Sequence, residues 1–316
     1  MPNLRQGSIH LFRVAGIEVF LHWSWFLVAV IEVAYLRHRY TSPIWSVLEY
    51  LSLFAIVLLH EFGHALACRQ VGGAADHIML WPLGGVAYVN PPQRPGAMFW
   101  SLAAGPLVNV VLLPPLIAAF FAVQALGWAQ TMPNAYHFVG AVLFIDAVLL
   151  AFNLLPVYPL DGGQILRSLL WYFVGRGRSL ATATVVGFVG AAGFVLAALW
   201  MRSVWLVLIA GYMLINCWSG LKGARALMRL EKMPRRDGFA CPACESKPLL
   251  GAYWKCAGCG GVFDTFATRA VCPYCSRPYA ETICGDCHTL SPMSQWAAAG
   301  AIPAVTAVPG SAPIAP

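Results

Sequence analysis

Ser52–Gln70 reads SLFAIVLLHEFGHALACRQ and contains His60-Glu61-Phe62-Gly63-His64, an H-E-x-x-H motif. On a helix, positions i and i+4 lie on one face about one turn apart. Two imidazoles so placed can share one zinc, and the Glu beside the first can act as general base toward water at the metal. The helix of a soluble zinc enzyme would be amphipathic. Leu51–Leu59 is instead apolar nearly all round, the composition of a helix in lipid.

The whole chain has the same character. Of its 316 residues 59% are hydrophobic and 10% charged, against about 25% charged in soluble domains. This reads as an all-α polytopic membrane protein and excludes an ordinary soluble enzyme. The net charge of +7 is first a topology signal, and twelve Trp and eleven Tyr suit interfacial belts. No cleavable leader is expected, because the first apolar run is long, holds His22 and Glu32 and lacks an A-x-A site.

Six spans are expected. Span 1 is Ile17–Leu36, after a tail at Met1–Gly16, and its His22 is expected to face the bundle interior as a hydrogen-bonded structural residue. Span 2 is Val47–Cys68, with Cys68 a small buried residue rather than a ligand. Arg69–Gly96 is too polar and too rich in Gly and Pro to cross, and His77–Trp81 and Gly85–Asn90 read as a small membrane-proximal β-hairpin around Pro82–Gly85. Its open backbone groups could take an extended peptide by strand addition, and a re-entrant loop is the competing reading.

Span 3, Ala97–Leu126, contains Ala104-Gly105-Pro106-Leu107-Val108-Asn109. Its small residues allow close helix approach, and Asn109 could bond a facing helix. Span 4, Tyr136–Leu155, ends in a stretch with two prolines and two glycines, Asn153-Leu154-Leu155-Pro156-Val157-Tyr158-Pro159-Leu160-Asp161-Gly162-Gly163. Broken backbone at membrane depth is tolerated where it lines a cavity, so the carboxylate of Asp161 marks a functional site. Asp146, on the same helical face as Asn153, could point at the same cavity, a packing hydrogen bond being the favoured reading. Spans 5 and 6 are Leu180–Trp200 and Val204–Trp218. With six spans, twelve Lys and Arg fall on the side of the termini and three on the other, which places both termini in the cytoplasm, the cell membrane being the expected location.

A basic juxtamembrane linker, 221–238, leads to a region of another kind, 239–289. It holds eight of the ten cysteines as Cys241/Cys244, Cys256/Cys259, Cys272/Cys275 and Cys284/Cys287. Four C-x-x-C pairs in so short a stretch are a zinc signal, each pair giving two thiolates of a tetrahedral four-cysteine site. A small zinc-ribbon-like module with two structural zincs is expected, its knuckles paired sequentially or alternately. Lys247, Lys255, Arg269 and Arg277 are offset by Glu245, Asp264, Glu281 and Asp286. That balance is no basic groove, so a protein substrate or protein regulator is the expected partner rather than nucleic acid. Residues 290–316, rich in Ala and Pro, read as a disordered tail.

A catalytic zinc has three protein ligands and an open position. His60 and His64 supply two, Asp161 is the candidate third, Glu61 the base and Asn153 a neutral donor for substrate backbone or a developing oxyanion. His60–His64, Ala104–Asn109 and Asn153-x-x-Pro156-x-x-x-x-Asp161-Gly162 together closely resemble the site-2 protease family of intramembrane zinc metalloproteases, as do Leu21–Trp25 and Pro82–Gly85. The resemblance covers residues 8–220, here taken as a six-span domain at 17–220. It implies zinc on His60, His64 and Asp161, Glu61 as base, Asn153 contacting substrate, and membrane-spanning helices, often already trimmed, as substrates. The PDZ insertion or CBS pair of many relatives is not apparent, and the Cys-rich module stands in its place. Two other readings compete. One is a catalytically silent membrane receptor or regulator acting through its ribbons. The other is a zinc transporter, which would need a polar relay beyond His22, Glu32 and Asp146.

Overall fold

The computed structural model describes residues 7–36, 39–81 and 84–296, with no side-chain description for 32–36 and 84–88. The expected turn at Pro82-Leu83, two counted cations, Arg5 and Arg37, and the tail from 297 onward lie outside the described residues. The chain divides into two compact units, Met1–Met228 and Arg229–Pro316.

Unit 1 opens with strands β1 (Ser8–Val14) and β2 (Ile17–His22), followed by helices α1 (Ser24–Leu36) and α2 (Pro43–Gln70) and strands β3 (Ala74–Trp81) and β4 (Gly84–Asn90). Five more helices and one four-residue turn follow: α3 (Pro95–Ala125), α4 (Trp128–Thr131), α5 (Pro133–Leu154), α6 (Asp161–Val174), α7 (Arg176–Met201) and α8 (Val204–Glu231). The four strands form one sheet in the order β1-β2-β3-β4, with β2 and β3 parallel and the outer pairs antiparallel. Among the described residues, five helices are long and apolar enough to cross a membrane: α2, α3, α5, α7 and α8. The chain is a multi-pass membrane protein.

Two expectations change here. The hairpin is half of a four-stranded sheet, and the N-terminal tail supplies its first strand. Expected span 1 is a strand followed by a helix of 13 residues, which reaches about 20 Å against a hydrocarbon core of about 30 Å. An apolar run alone does not separate a lipid-facing helix from a strand buried on both faces. Ile17, Val19 and Leu21 pack with Trp25, Val57, Ala65, Cys68, Ile78 and Leu80 in one core that joins the sheet to α2. His22 ends β2 rather than lying inside a bundle; it bonds Ser24 and stacks on Trp81 with ring centroids 4.1 Å apart. Cys68 is buried in that core with its thiol toward the Ala74 carbonyl, remote from any ligand role.

The helix with the H-E-x-x-H motif meets α3 at a glycine. A Cβ on Gly63 would stand 2.6 Å from the Ala104 carbonyl oxygen, so only glycine lets the two helices approach this closely. α3 remains helical through Pro106, Pro114 and Pro115. α5 ends at Leu154, and the irregular stretch after it delivers Asp161 as the first residue of α6.

Unit 2 has two short hairpins, β5 (Trp254–Lys255) with β6 (Val262–Phe263), and β7 (Glu281–Ile283) with β8 (Leu290–Pro292). A 3-10 turn, Met293–Trp296, follows. Trp296 is fully buried beside Cys241, Phe266 and Cys284, and its carbonyl accepts from the Ala240 amide. The module therefore runs past residue 289, and 290–296 belong to it rather than to a tail. The sequence signal missed here was the single Trp in an otherwise Ala- and Pro-rich stretch. Trp296→Ala is expected to destabilise the module by about 3–5 kcal/mol, seen as faster proteolysis within unit 2 of the intact chain.

Candidate metal centres

Three ligand atoms converge in unit 1. His60 and His64 are buried on one face of α2, and Asp161 comes from the start of α6. His60 Nε2 and His64 Nε2 are 3.1 Å apart, and Asp161 Oδ2 lies 3.0 Å from the first and 3.3 Å from the second. The far nitrogen of each ring explains why the near ones converge. His60 Nδ1 donates to Asn109 Oδ1 at 2.6 Å and His64 Nδ1 to the Ser101 carbonyl at 2.8 Å. With a hydrogen on Nδ1, each Nε2 presents a bare lone pair.

Two bare nitrogens and a carboxylate oxygen facing one another repel unless a cation lies among them. Their triangle, 3.0–3.3 Å on a side, is also close to the size that a metal needs. For metal–ligand distances of about 2.0–2.1 Å, the edge of a tetrahedron is about 3.3–3.4 Å. The three residues thus fit zinc and leave the fourth corner open. Glu61, buried and next to His60 in sequence, lies on the same helix. Asn153, half-buried one residue before the end of α5, makes no hydrogen bond to this cluster. Gly105 of α3 backs the site, because a Cβ there would fall 2.2 Å from His64 Nε2 and 2.8 Å from His60 Nε2.

The eight cysteines of unit 2 form two further clusters, all as free thiols. Cys241 and Cys244 join Cys284 and Cys287; Cys256 and Cys259 join Cys272 and Cys275. The pairing is nested, first knuckle with fourth and second with third, so neither the sequential nor the alternate arrangement occurs. Sulfur separations are 3.6 and 3.7 Å in the first cluster and 3.6 and 3.6 Å in the second. A tetrahedron with bonds of about 2.3 Å has edges of about 3.8 Å, whereas a disulfide would need about 2.05 Å. Both clusters therefore fit a metal.

All four knuckles share one backbone form. The residue after each second Cys has positive φ: Glu245 (62°), Gly260 (75°), Ser276 (57°) and His288 (59°). The amide of each bonds back to the carbonyl of the first Cys at 2.8–3.0 Å. The amide of each first Cys in turn bonds the carbonyl five residues on, in Ser246, Gly261, Arg277 and Thr289. The turn aims both sulfurs of a pair to one side. Within each of two contacting pairs one thiol is lowered and its partner raised: contact with the Cys244 sulfur holds Cys284 at about 4 while Cys244 is pushed up, and the Tyr279 hydroxyl holds Cys256 at about 5 while Cys275 is pushed up to about 12. Thiolate character is what a metal requires.

The family model for peptidase family M50 matches residues 49–135 and 123–197, the stretch that holds the histidines, Asn109, Asn153 and Asp161. The chain belongs to peptidase family M50. Zinc metalloprotease MJ0392 of Methanocaldococcus jannaschii is 33% identical over 186 residues, 57% of this chain and 50% of that one. The Synechocystis protein sll0528 is 29% identical over 255 residues, 74% of this chain and 64% of that one. Among solved structures, the site-2 protease from Methanocaldococcus jannaschii pairs with 68% of this chain and 95% of its own at a TM-score of 0.49 and 28% identity. The chain spans between half and two thirds of the length of these curated relatives.

Two outcomes test the centres of this M50 chain. Gly105→Ala is expected to remove about one zinc per chain, since the new methyl occupies the imidazole positions. Of the module's zinc, Cys241→Ala/Cys287→Ala is expected to remove about one and Cys241→Ala/Cys256→Ala about two, read by metal analysis of purified protein. Equal losses from the two double variants would contradict the nested pairing.

Proposed function

We propose that the chain is an intramembrane zinc metalloprotease that hydrolyses peptide bonds within or near the transmembrane segments of single-span membrane-protein substrates. One observation carries this reading: His60 Nε2, His64 Nε2 and Asp161 Oδ2 form a triangle 3.0–3.3 Å on a side, the arrangement of three ligands around one metal ion. It lies among helices apolar enough to span a bilayer.

A zinc held by these three residues would supply Lewis acidity, polarising a peptide carbonyl and making a water acidic near neutral pH. The remaining work falls to the chain. Glu61 takes the proton of the attacking water and passes it to the leaving amide nitrogen. Asn153 donates its amide N–H to the substrate backbone or to the oxygen on which charge develops. The buried surroundings of His60, Glu61 and His64 strengthen each of these electrostatic contacts by keeping bulk water out. A transmembrane helix must lose its own backbone hydrogen bonds before it can be cut. β4 ends its sheet, and its open edge can take such an extended segment by strand addition.

In this reading the protein resides in the cell membrane with both termini cytoplasmic, which requires α1 to complete a sixth crossing. The module carries two structural zincs, and it receives a protein regulator or the substrate's soluble part rather than nucleic acid.

The test is cleavage of a co-expressed single-span substrate. Glu61→Gln is expected to lower cleavage by about 10²–10⁴-fold while the zinc remains bound. Asn153→Ala is expected to lower kcat by about 10²-fold. Full activity in Glu61→Gln would assign the base elsewhere, and absence of cleavage in the unaltered chain would favour a regulator acting through the ribbons.

A further inference from the structure

His60, Asn109 and Asp146 form a hydrogen-bonded chain across α2, α3 and α5 that leads away from the ligand triangle. His60 Nδ1 donates to Asn109 Oδ1 at 2.6 Å, and Asn109 Nδ2 donates to Asp146 Oδ1 at 2.7 Å. Asn109 and Asp146 are both fully buried. Asp146 Oδ2 is buried with no hydrogen-bond partner among the described residues. A carboxylate with one bare oxygen inside a spanning helix is costly, and a packing role does not account for it. The protease reading above uses neither Asn109 nor Asp146.

The amide of Asn109 decides what the chain does. An Asn side chain has an acceptor end and a donor end of nearly the same shape. With its oxygen toward His60 it accepts from Nδ1–H, and Nε2 keeps the lone pair that a metal needs. Turned over, its NH2 group would donate to Nδ1, hold the hydrogen on Nε2 and remove that ligand. Contact with His60 does not choose between the two. A carboxylate does, because it only accepts. Asp146 takes the NH2 end and so turns the oxygen end toward His60. His64 needs no such device, since its Nδ1 faces the Ser101 carbonyl, an acceptor fixed by the backbone.

We propose that Asp146 is a positioning residue for the metal centre: acting through Asn109, it locks His60 in the tautomer that ligates zinc. The inference rests on the metal reading of His60, His64 and Asp161. It places an amide between carboxylate and histidine where many zinc sites join them directly, and outer partners of that kind are worth about 10–100-fold in metal affinity.

The test is the zinc affinity of this centre in the detergent-purified full-length chain, measured by chelator competition. Helical far-UV circular dichroism and thermal unfolding of each variant in detergent report that unit 1, which holds residues 109 and 146, is folded. Asp146→Leu is expected to weaken binding by about 10–100-fold. Asp146→Asn, which still offers an oxygen to Asn109, is expected to weaken it less. Asn109→Asp alone sets two carboxylates side by side and weakens it too. The deciding variant is Asn109→Asp/Asp146→Leu. A carboxylate at 109 accepts from His60 Nδ1–H through either oxygen and needs no lock, so affinity is expected to return to within a few-fold of the unaltered chain. A double variant as weak as Asp146→Leu would mean that Asp146 only packs, and would overturn the inference. Unchanged affinity in Asp146→Leu would do the same. His60→Ala/His64→Ala separates the two levels. If it removes no zinc, the metal reading itself fails and this inference with it; if it removes one zinc while Asp146→Leu binds normally, the inference alone fails.

Discussion

Three atoms that would otherwise repel set the terms for unit 1. The Nε2 atoms of His60 and His64 and Oδ2 of Asp161 stand 3.0–3.3 Å apart, each with a lone pair turned to the common centre. A bound cation would stabilise such a cluster, and much of the surrounding architecture serves to hold it. The α-helical repeat stacks the two imidazoles of α2. Gly105 of α3 leaves the space that their rings occupy. The break after α5 ends one helix and starts the next at Asp161, which delivers a carboxylate that an uninterrupted helix would carry past the site. Ser101 and Asn109, one turn above and one turn below Gly105, hold the outer nitrogens of both rings.

The same rule governs unit 2 with softer ligands. The four knuckles repeat one hydrogen-bond pattern and one left-handed residue each, and the sulfurs meet at 3.6–3.7 Å. The first cluster closes around the aromatic core of Phe239, Trp254, Phe266 and Trp296. The second has Cys259 and Cys275 exposed and a smaller core of Phe263 and Tyr279. With so little apolar surface, metal binding supplies much of the folding free energy of such a module.

The sequence was legible where chemistry and period coincide. His60 and His64 sit four apart, Asp161 sits in broken backbone, and the C-x-x-C pairs announce themselves; the structure brings each of these sets together. Legibility failed where long-range pairing decides. Ile17–His22 opens the longer apolar run Ile17–Leu36, and its pairing with β1 and β3 makes it a strand. Which knuckle joins which depends on how the chain returns from Cys272 to Cys284, and spacing does not encode the nested order. Asn109 was legible as a donor between helices, but its partner was not. Its link to His60 needed the three-dimensional register of α2 against α3, although the G-P-x-x-N stretch was the signal that pointed there.

Anomalous diffraction at the zinc absorption edge from crystals of the intact chain tests the central claim most directly, because the Cys clusters calibrate the signal in the same map. Three peaks per chain are expected, one of them about 2.0–2.2 Å from His60 Nε2, His64 Nε2 and Asp161 Oδ2. Peaks at both Cys clusters with none among His60, His64 and Asp161 would contradict it.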